Sequence, residues 1–206
     1  MFALLVLLLL FLPFSAQQEG VLPVKKKGFT FRAYVECNGQ RVDAIYQFNS
    51  EYSVTLGANS YSVTAVDTAL AGHVVVPDSV KSPDGKAVPV TGVSRHSFAD
   101  CRHITGVTLP DSIHDIGDQS FMNCRSLGSI VLPPGTRYLW PYAFRGCSSL
   151  NRIVVKAAVP PDSYNDVFDE RTLRFATLLV PAASAGAFRH AFVWNMFRYS
   201  LADWDR

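Results

Sequence analysis

Ser97-Phe98-Ala99-Asp100-Cys101-Arg102-His103-Ile104, Ser120-Phe121-Met122-Asn123-Cys124-Arg125-Ser126-Leu127 and Ala143-Phe144-Arg145-Gly146-Cys147-Ser148-Ser149-Leu150 align without a gap. Phe98, Phe121 and Phe144 are 23 residues apart, and so are Cys101, Cys124 and Cys147, and Ile104, Leu127 and Leu150. Three apolar columns with one spacing define an internal repeat, and a unit this short cannot bury its apolar positions alone. Stacking gives each column a like neighbour above and below. Every unit continues into a short β-branched stretch: Val107-Thr108-Leu109-Pro110, Ile130-Val131-Leu132-Pro133 or Ile153-Val154-Val155. Such stretches suit one strand per unit, and the proline ends the strand because it has no N–H for the ladder. The sequence therefore predicts a solenoid, mainly β, of about 23 residues per rung. One face is a parallel sheet, and the return path holds a short helical turn around Phe98–Asp100.

Weaker copies flank these three units. His73-Val74-Val75-Val76-Pro77 reads as an upstream strand, and Val80–Val90 as a hairpin insertion turning at Pro83-Asp84-Gly85. Phe168 continues the Phe column 24 residues after Phe144, and Leu178-Leu179-Val180-Pro181 supplies the last strand. The array then has about four to five rungs, near the minimum for a stable stack. Open ends expose core and unpaired backbone, so both need covering. Phe29–Phe48, alternating around Asn38-Gly39, predicts a hairpin, and Ser53–Leu56 with Tyr61–Val66 a second one around Gly57-Ala58-Asn59. Ala182–Ala191 has helical character, and Phe188, Phe192, Trp194 and Phe197 are expected to pack over the last rung. The expected division is a signal peptide at 1–16, an N-terminal β cap at 17–69, the repeat array at 70–181 and a C-terminal helical cap at 182–206.

The signal assignment rests on the apolar run Leu4–Leu12, with Pro13, a small-residue end at Ser15-Ala16 and the polar Gln17-Gln18-Glu19-Gly20 behind it. The run is shorter than the roughly 20 residues a membrane span requires. No Lys or Arg precedes it, and Phe14 occupies the third position before a cut after Ala16. The expectation is an exported chain, secreted or on the cell surface, with no stable membrane insertion once the signal is removed. A net charge of +2 and no Lys/Arg run longer than Lys25–Lys27 give no basis for nucleic-acid binding.

Ile116-Gly117-Asp118-Gln119-Ser120-Phe121-Met122-Asn123-Cys124-Arg125-Ser126-Leu127 resembles the unit of the BspA-type leucine-rich repeat family of exported bacterial proteins. Val76-Pro77-Asp78-Ser79-Val80, Val90-Thr91-Gly92-Val93 and the terminal Val180-Pro181 with Phe188, Trp194 and Phe197 extend the similarity over about residues 70–198. The resemblance implies a leucine-rich-repeat solenoid in a secreted or cell-surface protein, with adhesion as a role of some members. It is specific for scaffold and weak for function, because the shared residues build the fold.

Column neighbours lie about 4.8 Å apart with parallel Cβ vectors, whereas a disulfide needs Cβ atoms about 3.8 Å apart and a dihedral near roughly 90°. The cysteine column reads as buried free thiols, with Cys37 apart from it. Its outer sulfurs, about 10 Å apart, do not converge on zinc, and His96, His103 and His114 show no ligand spacing. Asp78-Ser79, Asp111-Ser112 and Asp162-Ser163 recur as turns, with no histidine placed beside them by pattern. No catalytic set, metal site or cofactor is expected.

What remains is the outward side of the strands. Alternation turns Val107 and Leu109 inward and leaves Val75, Thr108, Val131, Val154 and Leu179 as an outer column beside Arg152. This stripe is the candidate site for an extracellular protein or glycan, with Arg152 as polar anchor. Its structural alternative is β-branched residues that stabilise the sheet. Arg95, Arg102, Arg125 and Arg145 form a second candidate surface on the turns. A non-catalytic binding module is the first expectation, a self-assembling cell-envelope component the second and an enzyme the third.

Overall fold

A computed structural model describes residues 30–48, 61–164 and 166–201. The expected signal at 1–16, the strand Ser53–Leu56 and the turn Gly57-Ala58-Asn59 lie outside the described residues. The described residues begin with a meander of three antiparallel strands, β1 (Thr30–Cys37), β2 (Gln40–Phe48) and β3 (Tyr61–Val66). Asn38 and Gly39 join the first two with φ of 50° and 77°, the left-handed pair that a two-residue hairpin turn of matching twist requires. Next come β4 (Ala71–Val75), β5 (Ser79–Lys81) and β6 (Ala87–Val93). Longer and two-residue strands then alternate: β7 (His103–Thr108), β8 (Asp115–Ile116), β9 (Ser129–Leu132), β10 (Tyr138–Leu139), β11 (Arg152–Val155) and β12 (Asp162–Ser163). Helix α1 (Glu170–Phe175), β13 (Thr177–Leu179), α2 (Ala185–His190) and β14 (Tyr199–Leu201) complete the described chain.

The strands form one continuous hydrogen-bonded path that contains two parallel sheets, joined through the antiparallel β1–β3. The larger one runs β4-β7-β9-β11-β13-β14 and the smaller one β6-β8-β10-β12. In the larger sheet Val107 pairs with Ile130, Ile130 with Ile153 and Ile153 with Leu178, so identical core positions fall in register. The N-terminal meander joins both sheets, β1 to β4 and β3 to β6. The expected Val80–Val90 hairpin is present as β5 against β6. It is more than an insertion, because Gly92 and Val93 of β6 pair with Asp115 and Ile116 and so start the smaller sheet.

The return paths differ from the expected helical turn around Phe98–Asp100. They consist of successive tight turns, with Ala99 N–H donating to His96 C=O and Cys101 N–H to Phe98 C=O, and the same pattern at Met122 and Cys124. Two columns of left-handed residues interrupt any helix: His96, Gln119 and Tyr142 at φ 54–61°, and Asp100, Asn123 and Gly146 at φ 60–77°. These reversals turn backbone donors toward the next rung. Phe98 N–H reaches Ser120 C=O at 2.7 Å, Phe121 N–H reaches Ala143 C=O at 2.8 Å, and Phe144 N–H reaches Val167 C=O at 3.0 Å. The turns are thus hydrogen-bonded rung to rung as the strands are, which satisfies backbone groups that a buried loop would otherwise leave unpaired.

Beneath those turns the Phe column is a stack of parallel rings. Centroids are 5.0 Å apart for Phe98–Phe121, 5.3 Å for Phe121–Phe144 and 5.5 Å for Phe144–Phe168, with interplanar angles of 9° or less. The four rings are buried. At the far end Trp194 and Phe197 meet Phe168 edge-on at 6.2 and 5.4 Å. Phe188, Trp194 and Phe197 are buried as expected, but Phe192 is 62% exposed and does not join them. The helix ends at His190 with Ala191 extended, so Phe192 no longer follows the buried face of Phe188, and Val193 at φ 69° starts the separate turn that carries Trp194.

The cysteine column runs alongside the rings. Cys124 and Cys147 each donate a thiol hydrogen bond to the preceding rung, to Phe98 C=O and Phe121 C=O, at 3.1 Å. All four cysteines are free and buried. Burial first, then Asp67 and Asp100, push the Cys101 thiol from its usual 9.0 up to about 12; the Cys147 thiol and burial raise Cys124 as well. A thiol held neutral in the fold stabilises it fully below the ordinary thiol range. That contribution is lost as pH rises from 9.0 toward about 12. At pH 8, alkylation of Cys101, Cys124 and Cys147 is expected to proceed only through unfolding. Rapid labelling of Cys124 in the folded chain, read by mass spectrometry, would show that the column is not packed as described.

Candidate functional site

The strand registers place the predicted outer column on one line across the larger sheet. Val75 pairs with Thr108, Val131 with Val154 and Val154 with Leu179. Exposure along that line is unequal. Thr108 and Arg152 are exposed, Val131 is 38% exposed, and Val75 is half-buried. Val154 and Leu179 are only 8% and 7% exposed, which corrects the expectation of an open stripe. Alternation does turn Val154 away from the core, but its in-register neighbours Val131 and Leu179 flank it on both sides, and branched side chains at sheet spacing cover one another.

The open part of this face is a shallow groove of about 350 Å³ across β4, β7 and β9, lined among others by His73, Thr105, Thr108, Ser129, Val131 and Lys156. His73 was not read from the sequence, because nothing in the repeat marks it. Its ring lies against Gly106, where a Cβ would come within 2.6 Å of Nδ1, and its Nε2 is 2.7 Å from Thr108 Oγ1. A glycine in β7 therefore lets an imidazole lie flat on the sheet. Arg152 stands outside the groove wall, at the start of β11.

Three of the four turn arginines are engaged locally. Arg95 pairs with Asp118 at 3.0 Å, Arg102 with Asp100 at 3.2 Å, and Arg145 lies 5.1 Å from the Tyr142 ring centre. Exposed pairs of this kind contribute about 0–1 kcal/mol and mark a solvated surface. Of the Asp-Ser steps only Asp111-Ser112 is a turn, and its Ser112 Oγ donates across to Val90 C=O of the neighbouring rung at 2.7 Å; Ser79 opens β5, and Asp162-Ser163 forms β12 because it pairs with Tyr138 and Leu139, with Ser163 Oγ donating to Pro161 C=O at 3.0 Å. Among the described residues no three His, Cys, Asp or Glu side chains gather as a metal would require. No described helix is long and apolar enough to cross a membrane.

The smaller sheet carries a feature the sequence reading missed. Tyr138 and Trp140 project from β10 and its end, and Tyr164 from the end of β12, all exposed at 40%, 41% and 49%. Trp140 is 6.4 Å from Tyr138 and stacks on Tyr164 at 5.9 Å. The signal was present as aromatics two apart in Tyr138-x-Trp140, but strands of two residues leave too little alternation to recognise.

The pattern of the BspA type leucine rich repeat region matches residues 79–180, in six copies. Through these repeats the chain belongs to the BspA-type leucine-rich repeat family, with a fold that is mostly β, few helices and a parallel sheet. A leucine-rich repeat protein from Bacteroides capillosus is similar in structure, with a TM-score of 0.54 and 26% identity over 66% of this chain and 93% of that one. A leucine rich cell surface protein from Faecalibacterium prausnitzii matches with a TM-score of 0.50 and 17% identity over 73% of this chain. The match spans 38% of that protein's length. No curated protein matches the chain in sequence.

Proposed function

We propose that the protein is an exported, non-catalytic binding module, secreted or held at the cell surface, that engages an extracellular protein or glycan through an open sheet face. The observation that carries this reading is the preformed groove of about 350 Å³ over β4, β7 and β9. It lies on strands fixed in register by their neighbours, so binding needs little reordering. Rungs of about 23 residues, the meander β1–β3 as N-terminal cap and α2 with Trp194 and Phe197 as C-terminal cap make the support rigid. Membership of a family of bacterial repeat proteins, one relative of which is described as a cell surface protein, favours the exported setting, as does the apolar N-terminal run.

The test is binding of residues 17–206 to immobilised matrix proteins, mucins and glycans at low and high salt. Saturable binding to one class, weakened about tenfold by Val131→Lys or Arg152→Glu, is expected of a sheet-face contact. Absence of binding to every class overturns the reading. A structural alternative draws on one observation: among the described residues β12 and β14 end the hydrogen-bonded path, and such edges are where another chain can add a strand. Concentration-dependent oligomers in sedimentation would favour that envelope-assembly role, and a strict monomer would remove it.

A further inference from the structure

We propose that the smaller sheet carries a second binding site, for a neutral saccharide, built on Tyr138, Trp140 and Tyr164. The inference deepens the binding-module reading and rests on it, but it places the contact on the opposite set of strands. The hollow has a volume of about 420 Å³ and is walled by these three rings, Pro160-Pro161, Asp162 and Phe192, a size within the range of small-ligand sites.

Four observations point to sugar. First, the aromatic side chains are exposed next to one another. A soluble chain rarely leaves such a patch without a use, and tyrosine and tryptophan join an apolar ring to a polar tip. A pyranose has the matching character, with C–H faces that lie on a ring and hydroxyls around the edge. Second, carboxylates alternate with the rings. Tyr138 lies in register between Asp115 and Asp162, and Trp140 Nε1–H donates to Asp115 Oδ1 at 3.3 Å. Asp162 is exposed and accepts hydrogen bonds from hydroxyls, whereas it repels an acidic sugar. Third, the floor is stiff. Proline fixes the backbone of Pro160-Pro161, and the buried Trp194 Nε1–H holds Pro161 C=O at 2.8 Å. Fourth, Phe192 stands exposed at the rim, next to Val193, whose left-handed φ of 69° is costly for a β-branched residue.

The test titrates the chain with chito-, cello- and manno-oligosaccharides, and with a sialylated oligosaccharide, by calorimetry and tryptophan fluorescence. At least one neutral oligosaccharide is expected to bind, and the sialylated one more weakly. Trp140→Ala and Tyr164→Ala are each expected to reduce affinity about tenfold or more without lowering the melting temperature, since both rings are exposed. Trp140→Phe should retain most of the affinity, and Phe175→Ala, at an exposed ring outside the hollow, all of it. The proposal is overturned if no neutral oligosaccharide binds at millimolar concentration, or if binding survives Trp140→Ala. It is also overturned if Trp140→Ala abolishes only a protein contact. In each of those cases a matrix ligand still lost on Val131→Lys leaves the binding-module reading standing, whereas silence in both assays removes both.

Discussion

Phe121→Ala is expected to lower stability by about 3–5 kcal/mol, the range for removing a buried aromatic ring. Phe121 is fully buried and stacks on both faces, 5.0 Å from Phe98 and 5.3 Å from Phe144. The substitution leaves a void in the middle of the column, and the rungs on either side lose their mutual contact. Each broken aromatic pair adds about 0.5–1.5 kcal/mol to the loss of buried area. For a chain of this size the melting temperature should fall by about 6–20 °C. Phe175, 60% exposed, is the control: Phe175→Ala should change stability by about 0.5 kcal/mol or less. Equal, small losses at both positions would mean that the Phe column does not carry the core.

Trp194→Ala should be comparably damaging, by about 3–5 kcal/mol, for a different reason. The indole is 2% exposed, packs edge-on against Phe168 and Phe188, and donates its N–H to Pro161 C=O. Removing it opens the end of the ring stack to water and leaves a buried carbonyl without its donor. Trp194→Phe separates the two effects, because it keeps most of the packing and loses the hydrogen bond. A cost of about 1 kcal/mol for that bond alone is expected, measured by denaturant unfolding of both variants. If Trp194→Ala proved as mild as Trp194→Phe, the ring stack would not depend on its end.

The columns were legible because stacking demands the same residue type at the same height. Phe98, Phe121 and Phe144, the three cysteines and Ile104, Leu127 and Leu150 are all buried at the places their spacing implied. The longer strands were legible from their β-branched alternation. The two-residue strands of the smaller sheet were not, since they exist only through pairing with neighbours. Nor were the left-handed turns: Asp100, Asn123, Gly146 and His96 are types enriched in that conformation, but Gln119 and Tyr142 seldom mark it, so the two columns do not show as columns in the sequence. Burial of Val154 and Leu179 escaped the reading because alternation gives a direction and not the height of the neighbours. The aromatic cluster escaped it because one extra residue shifts the last unit, so that Tyr138 pairs with Asp162, 24 residues on, and the column breaks its period.

The meander at the start of the array pairs with the first strand of both sheets. Its consequence concerns the order in which the fold can be built. A chain emerging from its N-terminus completes a hairpin with local contacts, which forms fast, and thereby offers two waiting templates side by side. Each later unit closes a loop of similar length and adds one strand to each template, so the entropic toll of closure stays nearly constant from step to step. A stalled intermediate is a shorter version of the same object, not a tangle of distant partners.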